Sequence, residues 1–260
     1  MTASLTVVGG VYVERCIQPL WNEIYGSGGR AAAAVSGLVP NTRLVAYVPD
    51  YLKCDVAGLA DRFGFAVEIH SAEHGIEFDY LHPLATPRIF PAPARISEFP
   101  PLIVQGDVVL RYGMLEGTAI VTAKTAIYDP QSAFGARRFS ENGSSADRLA
   151  IVLNRGEARD MTGETDPLKA AKLLLREEKA SVVVMKMGGD GALVVTRKGA
   201  DAFPVYKTRH VWKIGSGDVF SAAFAAFWGV KGLPAAQAAD LASRATAQYC
   251  DRRILPIVSR

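Results

Sequence analysis

The chain has 260 residues, 49% hydrophobic and 21% charged, a balance that excludes a disordered protein and suits one large α/β domain or two small ones. Its 29 basic and 26 acidic residues leave a net charge of +3, too small and too dispersed to argue for a nucleic-acid partner. The three cysteines, Cys16, Cys54 and Cys250, lie far apart without metal-ligand spacing and point to free thiols in a reducing compartment.

Taken in chain order, Leu5–Val8 reads as a buried strand that breaks at Gly9-Gly10 and resumes at Val11-Tyr12-Val13. Gly26-Ser27-Gly28-Gly29 then opens an alanine-rich helix over Arg30–Leu38. Leu44–Val48 is strand-like, Leu52–Phe63 has helical spacing, and Phe65–Ile69 is strand-like again. This alternation predicts a mainly parallel sheet with helices on its faces. Residues 76 to 101 differ: a short alternating run, Ile76–Leu81, is followed by six prolines, which belong on edges and turns. The expectation is an exposed excursion forming a small sheet with Val11–Cys16, the alternative being a long surface loop.

Strand patterns return at Thr125–Tyr128, ending on Asp129-Pro130-Gln131, at Leu149–Leu153, ending on Asn154, and at Val182–Met187, ending on Gly188-Gly189. Leu193–Val195 and Phe203–Tyr206 read as antiparallel strands near one edge. Two helices follow, Ser216–Trp228 and Ala235–Tyr249. The first segment lacks the basic region and long apolar stretch of a secretory signal, and no apolar run is long enough to span a membrane. The expected compartment is the cytoplasm, without a membrane partner.

The strongest chemistry lies at Gly215-Ser216-Gly217-Asp218. A glycine-rich turn entering a helix leaves the first N–H groups unpaired and aimed at whatever sits there, an arrangement suited to phosphate. Apolar residues at 220, 224, 227 and 228 share one helical face, so Asp218 falls in the first turn beside that anion site. Ser216 or Asp218 is equally suited to a plain helix cap. No Gly-Lys-Ser/Thr follows, so the turn is not a Walker loop. Lys186, inside an apolar strand, is costly there unless it meets an anion. His70, His74, His82 and His210 have no ligand spacing, and Tyr12, Trp21, Tyr25, Phe78 and Tyr80 are suited to packing or to stacking on a flat ring.

In order along almost the whole chain, these pieces resemble the ribokinase (PfkB) family of small-molecule kinases. Gly215 to Asp218 resemble its Gly-Ala-Gly-Asp element, Asn154-Arg155-Gly156-Glu157 its Asn-x-x-Glu element, and Lys186-Met187-Gly188 its nucleotide-side strand and turn. Asp129-Pro130-Gln131 is similar to an Asp-Pro-Asn turn, Gly28-Gly29-Arg30 to the sugar-site turn, and Glu14 stands near the substrate aspartate. The resemblance implies a single ribokinase-like α/β domain over 1–260, with a central, mainly parallel sheet and a small β-sheet lid from about 11–25 and 76–101.

It implies ATP- and magnesium-dependent phosphorylation of a hydroxyl on a sugar or sugar-like molecule. A nucleoside acceptor, or a degenerate kinase fold that only binds ligand, are the alternatives. By the same resemblance Asp218 is the catalytic base, and Gly215, Ser216 and Gly217 form the anion hole. Asn154, Glu157, Lys186 and Gly188 bind the nucleotide, with Glu157 ordering magnesium indirectly. Glu14, Gly28, Gly29 and Arg30 bind the acceptor, and pairing of two copies through the lid is a candidate assembly. Three departures stand out. Trp212-Lys213-Ile214 replace the Asp-Thr-x that helps form a monovalent-cation site, which predicts weak or absent potassium dependence. The asparagine of the sugar turn is lost within Ala31–Ala34, and Glu14 is one methylene longer than the family aspartate.

Overall fold

The structure, a computed structural model, describes residues 4–258. Among these, nine strands form one sheet in the order β13-β12-β11-β10-β9-β8-β1-β4-β5. The strands are β1 (Ser4–Val8), β4 (Asn41–Pro49), β5 (Ala66–Ala72), β8 (Leu102–Tyr112), β9 (Ala119–Asp129), β10 (Ser145–Asn154), β11 (Val182–Lys186), β12 (Ala192–Thr196) and β13 (Gly199–Phe203). The pairings from β11 to β5 are parallel, whereas β12 and β13 add antiparallel strands at one edge.

Successive residues of the central strands feed two cores. In β11, Val182 and Val184 point into one and Val183 and Met185 into the other. A strand buried on both faces reads as an unbroken apolar run, which is why this one was recognisable. The first core lies under α1 (Gly26–Val35), α2 (Lys53–Phe63), α5 (Ser216–Phe224, continued by a π turn over Ala225–Val230) and α6 (Ala235–Arg252). The second is covered by α3 (Arg155–Thr162) and α4 (Pro167–Glu177).

Part of that second cover is made by the sheet itself. The Leu102 amide donates to the Thr118 carbonyl at 2.9 Å, and the Arg111 guanidinium donates to the Thr118 hydroxyl at 3.0 Å. In a straight strand residues 102 and 111 would lie about 30 Å apart, beyond the reach of one partner. β8 therefore turns a corner, at Gly106-Asp107, and β9 follows it at Ala123-Lys124, where Asp107 and Lys124 pair at 2.7 Å. The bend folds Leu102, Val104, Ala119 and Val121 into the second core. It also explains how only Gly113–Thr118 connect two parallel strands, a link that otherwise needs a dozen or more residues.

A second, four-stranded sheet has the order β3-β2-β6-β7, from β2 (Val13–Cys16), β3 (Trp21–Ile24), β6 (Glu77–Tyr80) and β7 (Arg88–Phe90). The residues after Gly9-Gly10 differ from expectation, since the strand starts at Val13 and Tyr12 turns back so that its ring packs on Gly10. The last edge strand also differs: it occupies Gly199–Phe203 and stops before Pro204, whose missing N–H cannot serve a ladder.

Candidate active site

In an open α/β sheet the ligand crevice lies beyond the carboxyl ends of the parallel strands. Here β8 ends at Tyr112, β9 at Asp129, β10 at Asn154 and β11 at Lys186. The N-terminus of α5 points over the same edge. Gly215 enters α5 with φ +70°, and a Cβ there would lie 2.1 Å from Arg30 Nε, so only glycine fits both the backbone and the neighbour. The Tyr112 hydroxyl donates to the Asp218 carbonyl at 2.8 Å and fixes the first turn against β8.

Asp218 is 8% exposed, and each carboxylate oxygen has one donor. Gln131 Nε2 reaches Oδ1 at 2.7 Å, and Arg30 Nη1 reaches Oδ2 at 3.2 Å. Arg30 is fully buried and holds Glu14 with both terminal nitrogens, one at 2.9 Å to Oε1 and the other to Oε2. Its Nε donates to the Tyr249 hydroxyl at 3.1 Å, which donates in turn to the Ile214 carbonyl at 3.1 Å. The Tyr25 ring faces the guanidinium at 4.9 Å. Burial works against the Arg30 charge, and Glu14, Tyr249 and Asp218 more than offset it, so its pKa lies well above the ordinary value.

A second cluster adjoins the first. Lys186 Nζ lies 2.6 Å from Asp129 Oδ2, and the Ser221 hydroxyl donates to the same oxygen at 2.5 Å. Asp129 Oδ1 is buried without a hydrogen-bond partner. Burial pushes the Asp129 carboxyl above its usual range, against the pull of Lys186 and Ser221. Burial opposes the Lys186 charge too, but Asp129 and Glu157 hold its pKa above the usual lysine value. A Cβ on Gly217 would lie 3.6 Å from Lys186 Nζ, so this ammonium borders the start of α5.

Asn154 and Glu157 form a reciprocal capping box on α3, Glu157 N donating to Asn154 Oδ1 at 3.0 Å and Asn154 N to Glu157 Oε2 at 2.7 Å. Burial pushes Glu157 up to about 7, with Lys186 pulling the other way. Gly188 and Gly191, at φ +61° and +87°, make the tight turn between β11 and β12.

Two cavities meet here. One, of about 510 Å³, is walled by Val205, Tyr206, Val211, Trp212 and Phe220 and reaches Lys186, Gly188 and Ser216. The other, of about 450 Å³, is walled by Glu14, Gly26, Ser27, Gln131 and Asp218, with Tyr12, Phe78 and Tyr80 on the small-sheet side. Lys213 and Gly217 are the residues common to both. A larger open depression of about 750 Å³, beside Ser4, Asn41 and Thr122 at the opposite ends of the strands, contains none of these groups.

Glu14, Arg30, Asp218 and the Gly215–Gly217 turn thus gather around one point, with Lys186 and Gly188 beside it. Gly28 and Gly29 are placed differently from the expected ligand contact. The Gly28 amide donates to the Gly10 carbonyl at 3.0 Å, and a Cβ there would lie 2.6 Å from the Gly9 carbonyl oxygen. Gly29 faces Leu59 of α2. The missing side chain of Gly28 lets α1 pack closely on Gly9, whereas a Cβ on Gly29 would make only ordinary contacts, and Gly26 and Ser27 line the cavity instead. Arg30 lies behind the cavity wall, acting through Glu14 and Asp218. The Ser216 amide is spent on the Lys213 carbonyl at 3.1 Å, so the free donors of this turn are those of Gly217 and Asp218. Gln131 and Tyr112 were not foreseen as partners of Asp218; Gln131 had a signal in the Asp-Pro-Gln turn, whereas Tyr112 had none.

A family profile described as pfkB family carbohydrate kinase matches residues 124–253, half of the chain and the half that holds Asp129, Glu157, Lys186 and Asp218. No curated protein matches the sequence significantly. Among solved structures, the fold is similar to Arabidopsis thaliana ribokinase complexed with ribose and ATP, at 15% identity and TM-score 0.73 over 99% of this chain and 96% of that one. Thermotoga maritima ribokinase is similar at 20% identity and TM-score 0.72, covering 98% and 96%. A pyrophosphate-dependent kinase in the ribokinase family, complexed with a pyrophosphate analog and myo-inositol, is similar at 16% identity and TM-score 0.66, covering 98% and 97%.

Proposed function

The chain belongs to the pfkB family of carbohydrate kinases, phosphotransferases that act on a hydroxyl of a small molecule, and we propose from that premise that it moves the terminal phosphoryl group of ATP onto a sugar or sugar-like acceptor seated beside Asp218. The observation that carries this reading is the place of Asp218, in the first turn of a helix and on the wall of one cavity where a second cavity joins it. The acceptor hydroxyl gives its proton to the Asp218 carboxylate as its oxygen attacks phosphorus. Gln131 and Arg30 fix the plane of that carboxylate, which is the positioning a general base needs. The free N–H groups of Gly217 and Asp218, with the positive end of α5, face the charge that develops on the phosphoryl oxygens.

The apolar walls of the cavity of about 510 Å³ suit a nucleobase, and its edge at Lys186 and Gly188 suits the phosphates. Magnesium carried by a polyphosphate needs only one or two carboxylates, its other ligands being phosphate and water. Glu157 fits that demand: its carboxylate is half-buried beside Lys186 and Asp129, and a cation would favour its charged form. When bound, the metal supplies charge neutralisation on the phosphates. With Trp212 and Lys213 in the cation-site positions, potassium dependence is expected to be weak. The small sheet covers the acceptor as a lid, bringing Phe78 and Tyr80 over it. Those aromatic walls also favour a second reading, a nucleoside acceptor whose flat base lies against them.

The test is ATP turnover over a panel of sugars, sugar alcohols and nucleosides, followed by Glu14→Gln on the best acceptor. Alanine at 14 would strand the buried Arg30 charge, whereas glutamine keeps a hydrogen-bond acceptor for it. The expected result is a raised acceptor KM, by roughly tenfold for one lost charge-assisted bond, with the KM for ATP unchanged. Turnover of no panel member by a protein that still binds ATP would favour the ligand-binding alternative.

A further inference from the structure

The two cavities are joined at Lys213 and Gly217, and of these only Lys213 has a side chain. Any group passing from one cavity to the other travels beside these two residues. The other cations nearby are already committed, Arg30 to Glu14 and Asp218 and Lys186 to Asp129. Lys213 is exposed and, among the described residues, makes no ion pair. Its backbone is nonetheless fixed, since the Lys213 carbonyl accepts both the Ser216 amide at 3.1 Å and the Ser216 hydroxyl at 2.9 Å. Trp212 and Ile214 on either side are buried, so the segment is anchored with one cationic side chain exposed.

We infer that Lys213 is a further catalytic residue, whose ammonium holds the phosphoryl group in transit between the two cavities; this rests on the reading of them as donor and acceptor sites. In the transfer, the bond from phosphorus to the bridging oxygen of ADP breaks, a bond from phosphorus to the acceptor oxygen forms, and the acceptor proton passes to Asp218. The three peripheral phosphoryl oxygens carry negative charge throughout, close to the Asp218 carboxylate. A neutralising cation is worth most at that point, and Lys213 is the uncommitted one lining both cavities. It holds that charge in the protein rather than in a bound monovalent ion.

The inference predicts a contact with the terminal phosphate and none with the inner ones. Binding of magnesium AMP-PNP and of magnesium ADP, measured by calorimetry on wild type, Lys213→Met and Lys213→Arg, separates the possibilities. Lys213→Met should bind AMP-PNP roughly 10- to 100-fold more weakly, the range for one charge-assisted contact, and ADP within about twofold of wild type. Lys213→Arg should recover most of the lost affinity. Unchanged AMP-PNP affinity in Lys213→Met would make the residue a surface lysine and overturn the inference, as would an equal loss for both nucleotides. If wild type bound neither nucleotide, the donor reading itself would fail and take the inference with it.

Discussion

Arg30 and Glu116 show two ways in which this fold accommodates a buried ionisable side chain. Arg30 is fully enclosed yet fully partnered, and it ties α1 to Glu14 on one side and to Asp218 on the other. Glu116 is the opposite case: a carboxyl 4% exposed that accepts the Tyr12 hydroxyl at 2.6 Å and has no cation beside it among the described residues. Burial pushes it up to about 7 from 4.5. Between those two values the folded protein holds a proton that the unfolded chain has released, so stability falls as pH rises through that window, and the cost is complete above it. Glu116→Gln removes the cost and keeps an acceptor for Tyr12. Its melting temperature should match wild type near pH 4.5 and exceed it at pH 8; Glu157 shifts both proteins alike and drops out of the difference. Equal melting temperatures at both pH values would show that Glu116 is not held neutral by burial.

Elements differ in how far their own residues announce them. β11 is an apolar run between a helix and a glycine turn, and α5 carries its periodicity and its Gly-Ser-Gly-Asp start within a dozen residues, so both were legible. β8 was not, because Gln105, Gly106 and Asp107 interrupt its apolar residues at the point where the strand turns its corner. α4 does carry a start signal, Asp166 accepting the Lys169 amide with Pro167 at the first position, but strand alternation alone does not register it. The candidate site divides the same way. Its local motifs could be read, but the bond from Arg30 to Asp218 joins residues 188 apart and exists only once the sheet is assembled. Asn154 belongs to the local level, as the cap of α3. Asn154→Ala should cost about 0.5–2 kcal/mol of stability through the lost cap, read from urea unfolding. No loss of stability would mean that α3 does not depend on its capping box.

At the scale of the molecule, one end of the small sheet stands out, where β2 and β6 finish and β3 begins. Leu20 is 90% exposed, Ile17 61% and Leu81 59%, and the Ile17 and Gln18 amides bond to the Tyr80 and Leu81 carbonyls, so these apolar side chains form one patch. Pairing of two copies through this face would cover it. Light scattering on a size-exclusion column should then report a dimer that Leu20→Asp shifts to monomer, and a monomeric wild type at micromolar concentration would contradict the pairing. The central claim, that Asp218 takes the acceptor proton, is tested most directly by Asp218→Asn, with turnover and melting temperature measured on one preparation. Asparagine keeps the shape and an oxygen for Arg30, whose charge Glu14 still pairs, so the fold and ATP affinity should survive. Turnover should fall by roughly 10²–10⁴-fold, the range for a positioned general base. A folded Asp218→Asn protein with near wild-type turnover would leave Asp218 as a structural partner of Arg30 and Gln131 and contradict the mechanism.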